Sequence, residues 1–208
     1  MTILKTNTPL DGWLGGGIPL EGITLVTGTQ GSGKTALLRA LAAERATPQT
    51  PTAYISSDQK YPGGFCVQKL DEVMQLVGQL HTMNPKPVIL IDDATSYGVC
   101  VTDGPAAGAR IWANFVRNSQ VREHSVVMAA QTRKVRLRDP AAMRSVLGQG
   151  PTFAADIILT TEVQASIHNG LVLRITCQKM RWMDTAKMKP FLMAVVHDDE
   201  LGWRGEAA

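Results

Sequence analysis

The chain has few cysteines, no long apolar run and no low-complexity tract, and each absence removes a class of protein. Its three cysteines, Cys66, Cys100 and Cys177, lie far apart and form no CxxC pair. That spacing argues against a zinc site, and the odd number argues against a disulfide framework. Reduced, mostly buried thiols are the expectation. No apolar stretch reaches the ~20 residues of a membrane span, so no membrane partner is expected. The start, Met1-Thr2-Ile3-Leu4-Lys5, lacks the charged segment and apolar block of a signal peptide, which makes the cytoplasm the expected compartment. Hydrophobic residues make up 44% and charged residues 19%, the balance of a soluble globular protein. The net charge of +3 says little until its distribution is read.

What is present is enough for one domain. The 208 residues can build one full hydrophobic core, and a single domain spanning residues 1–208 is expected. Apolar β-prone runs alternate with helical patterns, which predicts an α/β fold with a mostly parallel central sheet and crossover helices. Ile23–Thr27 reads as a buried first strand. A helix is predicted over 33–45, with Leu37, Leu38 and Leu41 facing the sheet. Thr52–Ser56 and Val88–Ile91 read as further strands. Val67, Leu70, Val73, Met74, Val77 and Leu80 have helical spacing, as do Ile111, Trp112, Phe115 and Val116. Ser125–Ala130 is another strand. Residues 132–152 read as a long polar loop rich in basic residues, Gly and Pro. Strand-like segments near 155–161, 171–178 and 190–196 then suggest a C-terminal antiparallel extension, with its Met and aromatic residues as core filler.

Gly28-Thr29-Gln30-Gly31-Ser32-Gly33-Lys34-Thr35 matches G-x-x-x-x-G-K-[ST] in full, between a predicted strand and a predicted helix. Glycines let backbone N–H groups converge on phosphates, and the helix N-terminus adds partial positive charge. Lys34 is placed for the β- and γ-phosphates of ATP, and Thr35 for Mg2+. Val88-Ile89-Leu90-Ile91-Asp92-Asp93 is an apolar strand ending in aspartate, the Walker B pattern, which makes Asp92 the second expected Mg2+ partner. Asp93 is assigned a turn or helix-capping role.

The segment Leu10–Gly22, LDGWLGGGIPLEG, resembles the LD-x-x-L-G-G-G-[IL]-x-x-G segment that precedes the P-loop in RecA/RadA, KaiC and DnaB-related ATPases. The resemblance covers about residues 8–204 and is similar to a bare RecA-like core, of the compact sort that phages encode. It implies a RecA-like P-loop NTPase fold, ATP and Mg2+ as cofactors, and an ATPase. It implies further site residues. Asp58 stands where the family carries a catalytic carboxylate, usually Glu, that orients or deprotonates the attacking water. Gln131 resembles the γ-phosphate sensor. Lys179 and Arg181, in Gln178-Lys179-Met180-Arg181, look like the K-x-R element that reaches a neighbouring subunit's γ-phosphate. The resemblance thus implies a homo-oligomer, ring or filament, with active sites at subunit interfaces.

Arg133, Lys134, Arg136 and Arg138 put four cations within six residues directly after Gln131, and Arg144 continues the charge. In RecA-like proteins this is the position of a loop that binds single-stranded DNA. Spaced cations can track phosphates with little sequence preference. The cluster holds no aromatic residue, so base stacking is not supported; Phe153 is the nearest and reads as core. Recombinase-, helicase- and translocation-motor-like activities stay open. So does a KaiC-like regulatory ATPase that controls protein partners without nucleic acid.

Overall fold

The computed structural model describes residues 3–45, 51–57, 64–99, 105–134, 143–145, 149–198 and 202–208. The chain enters through β1 (Ile3–Leu4), a single helical turn α1 (Leu10–Trp13), and β2 (Ile18–Pro19), which pairs antiparallel with β1. Asp11 organises this entry. Its carboxylate accepts hydrogen bonds from the Thr6 amide at 2.7 Å, the Thr6 hydroxyl at 2.7 Å and the Asn7 amide at 3.0 Å. The glycines that follow are demanded by the backbone. Gly17 has φ +135°, and a Cβ there would run into the Leu4 carbonyl.

The alternating part follows. It comprises β3 (Gly22–Gly28), α2 (Lys34–Arg45), β4 (Thr52–Ser56), β5 (Phe65–Cys66) and α3 (Leu70–His81). It continues through β6 (Val88–Asp92), α4 (Ala94–Val99), α5 (Pro105–Phe115), α6 (Ser119–Arg122) and β7 (Ser125–Lys134). Next come β8 (Met143–Ser145), α7 (Gln149–Ala154), β9 (Ile157–Ile167) and β10 (Gly170–Met180). A 3-10 turn at Thr185–Lys187, β11 (Phe191–Asp198) and β12 (Gly202–Ala207) complete the described chain.

One sheet runs β12-β11-β10-β9-β3-β7-β6-β4-β5, with β8 joined to β7. From β9 through β5 every pairing is parallel; from β9 through β12 every pairing is antiparallel. The parallel strands β3, β4, β6 and β7 are covered on both faces, and their successive residues sort by face. Val26, Tyr54, Leu90, Val127 and Ala129 join α1 and α2 in one core. Leu25, Ile55, Ile89, Ile91, Val126 and Met128 join α3, α5 and α6 in the other. Met193 and Val195 of β11 share the first core with Leu37, Leu38 and Leu41, so the antiparallel strands fold back over α2 and enclose it. Thus the mostly parallel sheet flanked by helices, and its antiparallel extension, are as the sequence predicts.

Three readings are corrected. The stretch 132–152 is not one long loop. β7 continues to Lys134, β8 pairs back against it, and α7 occupies its end. Phe153 is not core but 75% exposed. Cys66 is exposed while Cys177 is buried, so the thiols are not uniformly inside; Cys100 lies outside the described residues. Among the described residues, no helix is long and apolar enough to cross a membrane.

Candidate active site

The carboxyl ends of β3, β6, β7 and β4 meet along one edge of the sheet, where open α/β sheets bind ligands. Register fixes what meets there: Gly28 lies beside Gln131, and Ser56 beside Asp92. A cleft of about 490 Å³ opens at this edge, lined by Gln30 to Ala36, Arg39, Ser57, Asp92, Asp93, Ser96, Gln131, Leu171 and Trp203. That volume lies within the range of small-molecule sites.

The phosphate loop turns at Gly33, whose φ is +85° and where a Cβ would collide with the Leu173 side chain. Only glycine serves both demands. Lys34 then begins α2 with its ammonium buried. Its Nζ donates to the carbonyls of Thr29 at 2.9 Å and Gly28 at 3.3 Å. Burial lowers its pKa, and the charges of Asp93 and Asp92 partly offset this. A buried cation met by carbonyls, at a helix N-terminus, is a cradle for an anion.

Thr35 and Asp92 face each other. The Thr35 hydroxyl donates to Asp92 Oδ1 at 3.1 Å, and the Tyr54 hydroxyl donates to Oδ2 at 2.5 Å. Burial pushes the Asp92 carboxyl up from its ordinary pKa, while the Tyr54 and Thr35 hydrogen bonds pull it back. One hydroxyl and one buried carboxylate suit Mg2+, which takes few protein ligands and fills its sphere with water and phosphate oxygens. Among the described residues there is no cluster of three or more His, Cys, Asp or Glu that would hold a metal by itself.

Asp93 links this pair to the sensor position. Its Oδ1 accepts from the Thr95 amide at 2.6 Å, capping α4, and its Oδ2 accepts from the Gln131 amide side chain at 3.2 Å. The Gln131 backbone amide donates to the Thr95 hydroxyl at 2.8 Å. The assigned capping role of Asp93 is what the geometry shows.

The family model of the ATPase family associated with various cellular activities (AAA) matches residues 24–150, more than half of the chain. The chain belongs to this family. It is an AAA ATPase, a P-loop NTPase that binds and hydrolyses ATP. No curated protein matches the chain.

The structure brings Gln30 through Thr35, Asp92 and Gln131 to one cleft, with Gly28 paired beside Gln131. Lys179 and Arg181 are elsewhere. Arg181 pairs with Asp156 at 2.9 Å, and Asp156 accepts from the Ile23 amide at 2.9 Å, at the opening end of β3. Lys179 Nζ donates to the carbonyls of Phe153 at 2.9 Å and Thr152 at 3.2 Å. The length of β3, roughly 20 Å at ~3.3 Å per residue, separates them from their own phosphate loop. Arg133 and Lys134 lie on β7 just past Gln131. Asp58, Arg136 and Arg138 fall outside the described residues.

Several cleft residues carried no role in the sequence reading, among them Arg39, Leu171 and Trp203. Of these three, only Arg39 left a signal. It sits four residues after Thr35 on α2, hence on the same helical face.

Proposed function

We propose that the chain is a single-domain, RecA-like ATPase core whose copies assemble into a ring or filament and act on single-stranded nucleic acid. One observation carries the proposal. β7 runs without interruption from Gln131, in the cleft, into Arg133 and Lys134, and β8 pairs back so that Arg133 stands opposite Arg144. Arg133, Lys134 and Arg144 thus fall on two paired strands that continue from the cleft, and cations spaced along the chain can track the phosphates of a polymer. Gln131 and Arg133 are two residues apart on one strand, so a shift at the γ-phosphate is close to the polymer-binding cations.

Within the cleft, Lys34 and the loop amides hold the β- and γ-phosphates, and Thr35 and Asp92 hold Mg2+. When bound, Mg2+ draws charge from the phosphate oxygens during transfer. Asp58 orients the attacking water, and Gln131 senses the γ-phosphate. Lys179 and Arg181 serve a neighbouring subunit. Their place at the opposite edge of the sheet supports this, because it removes them from their own phosphate loop. The continuation of the sheet through β10, β11 and β12 supports the RecA-like subtype over a bare parallel sheet.

The test is the ATPase rate alone and with single-stranded DNA, single-stranded RNA or duplex. Several-fold stimulation by a single strand is expected. If none of the three changes the rate and none binds at low salt, the nucleic-acid reading fails. The KaiC-like regulatory reading then takes its place.

A further inference from the structure

The two oxygens of Asp92 have different partners, and the difference is imposed from outside the phosphate loop. Oδ1 faces the Thr35 hydroxyl at 3.1 Å, while Oδ2 is taken by the Tyr54 hydroxyl at 2.5 Å. Tyr54 is buried in the core beside α2, where a phenylalanine ring would pack equally well. Its hydroxyl therefore has a task that packing does not explain. Arg39 lines the same cleft, and its charge partly offsets the upward push that burial and Asp92 give the Tyr54 phenol. The Tyr54 hydroxyl has a single proton, and it is engaged by Asp92 Oδ2. Arg39 also lies against β12. Its guanidinium carbon lies 5.7 Å from the centroid of the Trp203 ring, within cation–π range.

We infer that Tyr54 and Arg39, with Trp203 behind them, are positioning residues for ATP hydrolysis that hold the Asp92 carboxylate with Oδ1 presented to the metal position beside Thr35. The inference rests on the reading of Asp92 as a Mg2+ partner. It adds the cause of the carboxylate's orientation. A buried carboxylate free to rotate would offer either oxygen, or lose the alignment with Thr35. With Oδ2 engaged, rotation costs a charge-assisted hydrogen bond in a site with little water. It also gives β12 a role in the cleft. That strand is at one end of the sheet and Tyr54 near the other, and α2, which carries Arg39, packs against both β12 and β4.

The test uses the full chain and a fluorescent, non-hydrolysable ATP analogue, titrated with Mg2+ alone as the probe metal. Residues that orient a metal ligand typically change metal affinity by about 10–100-fold when lost. Tyr54→Phe is expected to raise the Mg2+ concentration that half-saturates the Mg2+-dependent gain in analogue affinity by about 10-fold or more. Its affinity in EDTA should match that of the unaltered protein, which a merely destabilised fold would not preserve. Arg39→Met should shift the Mg2+ requirement in the same direction, and Arg39→Lys, which keeps the charge, should recover part of it. Asp92→Asn separates the two readings. If Asp92→Asn abolishes the Mg2+ effect and Tyr54→Phe leaves it unmoved, the positioning inference is overturned. If Asp92→Asn itself leaves the Mg2+ effect intact, Asp92 is no metal partner, and the inference falls with that reading.

Discussion

At the scale of single residues, the site divides into side chains whose chemistry is contiguous in sequence and side chains that only the fold assembles. Lys34 belongs to the first kind. Its ammonium is buried on two carbonyls at the start of α2, with its pKa lowered by that burial. Lys34→Ala is expected to cut ATP turnover by about 10²–10³-fold, the usual cost of losing one preorganised charge donor at a transition state. A steady-state phosphate-release assay checks this, and turnover within a few-fold of the parent would remove Lys34 from the chemistry. The strand–loop–helix turn from Gly28 to Thr35 was legible because it is local: the amides, the glycine torsions and the lysine all come from one segment. Asp92 was readable because an apolar strand must end at the ligand edge. Tyr54, Arg39 and Trp203 were not. Their convergence on Asp92 depends on β12 passing over α2, and no pattern in the sequence encodes that approach. Lys179 and Arg181 were legible as a basic element, but their engagement with Asp156 and the α7 carbonyls was not.

At the scale of elements, the parallel core was legible and the ends were less so. Both faces of β3, β4, β6 and β7 are covered, so their apolar runs mark them plainly. The stretch 132–152 misled because its charge hid a strand; an unstructured segment of that length is itself unusual in a compact domain. β12, with two glycines and alternating polar residues, forms because β11 offers a partner edge, not because of its own propensity. Another junction between elements carries a pH dependence. His124, between α6 and β7, is buried, and its Nδ1 lies 3.3 Å from the Pro87 carbonyl. The carbonyl can only accept, so Nδ1 carries the proton. His81 of α3 stacks edge-on at 5.5 Å, and Glu123 bridges Lys86 at 2.6 Å and His81 at 3.8 Å. Burial lowers the His124 pKa, His81 and Lys86 push the same way, and the Pro87 carbonyl and Glu123 oppose them. The unfolded chain's histidine titrates near about 6.5. Below that pH the unfolded chain gains a proton that the fold refuses, so the contribution of His124 is complete above about 6.5 and declines as pH falls towards the lower folded value. Urea unfolding midpoints should therefore drop between pH 7.5 and 5.5. The drop should be smaller in His124→Asn, whose amide can still donate to Pro87. Equal slopes in the two proteins would exclude His124 as the cause.

At the scale of the whole molecule, the cations at the far edge of the sheet bear on assembly. Asp156 is almost fully buried and holds Arg181 at 2.9 Å and Arg122 at 3.6 Å, while its Oδ2 accepts from the Ile23 amide at 2.9 Å. Arg181 is thus oriented by a carboxylate with several partners, and it remains 48% exposed, open to a neighbour. Phe153, whose carbonyl accepts from Lys179, is 75% exposed beside it, an aromatic side chain that contact with a second copy would cover. If Lys179 and Arg181 complete the phosphate site of the next subunit, turnover per chain must rise with protein concentration and level off once subunits are assembled. Lys179→Ala and Arg181→Ala should each lower that plateau by about 10²-fold or more, the scale of a lost transition-state cation, while nucleotide binding through Lys34 survives. Arg181→Ala leaves Asp156 with Arg122 and the Ile23 amide, so the fold retains most of that buried network. The decisive measurement mixes two inactive proteins. Lys34→Ala has an intact Lys179 and Arg181 but a defective phosphate loop; Arg181→Ala has the reverse. In a mixed assembly some Arg181→Ala loops sit against intact neighbours, and activity should reappear in proportion to such pairs. Activity that is independent of concentration in the unaltered protein, together with no recovery on mixing, would mean that each chain completes its own site. Lys179 and Arg181 would then be parts of the fold alone.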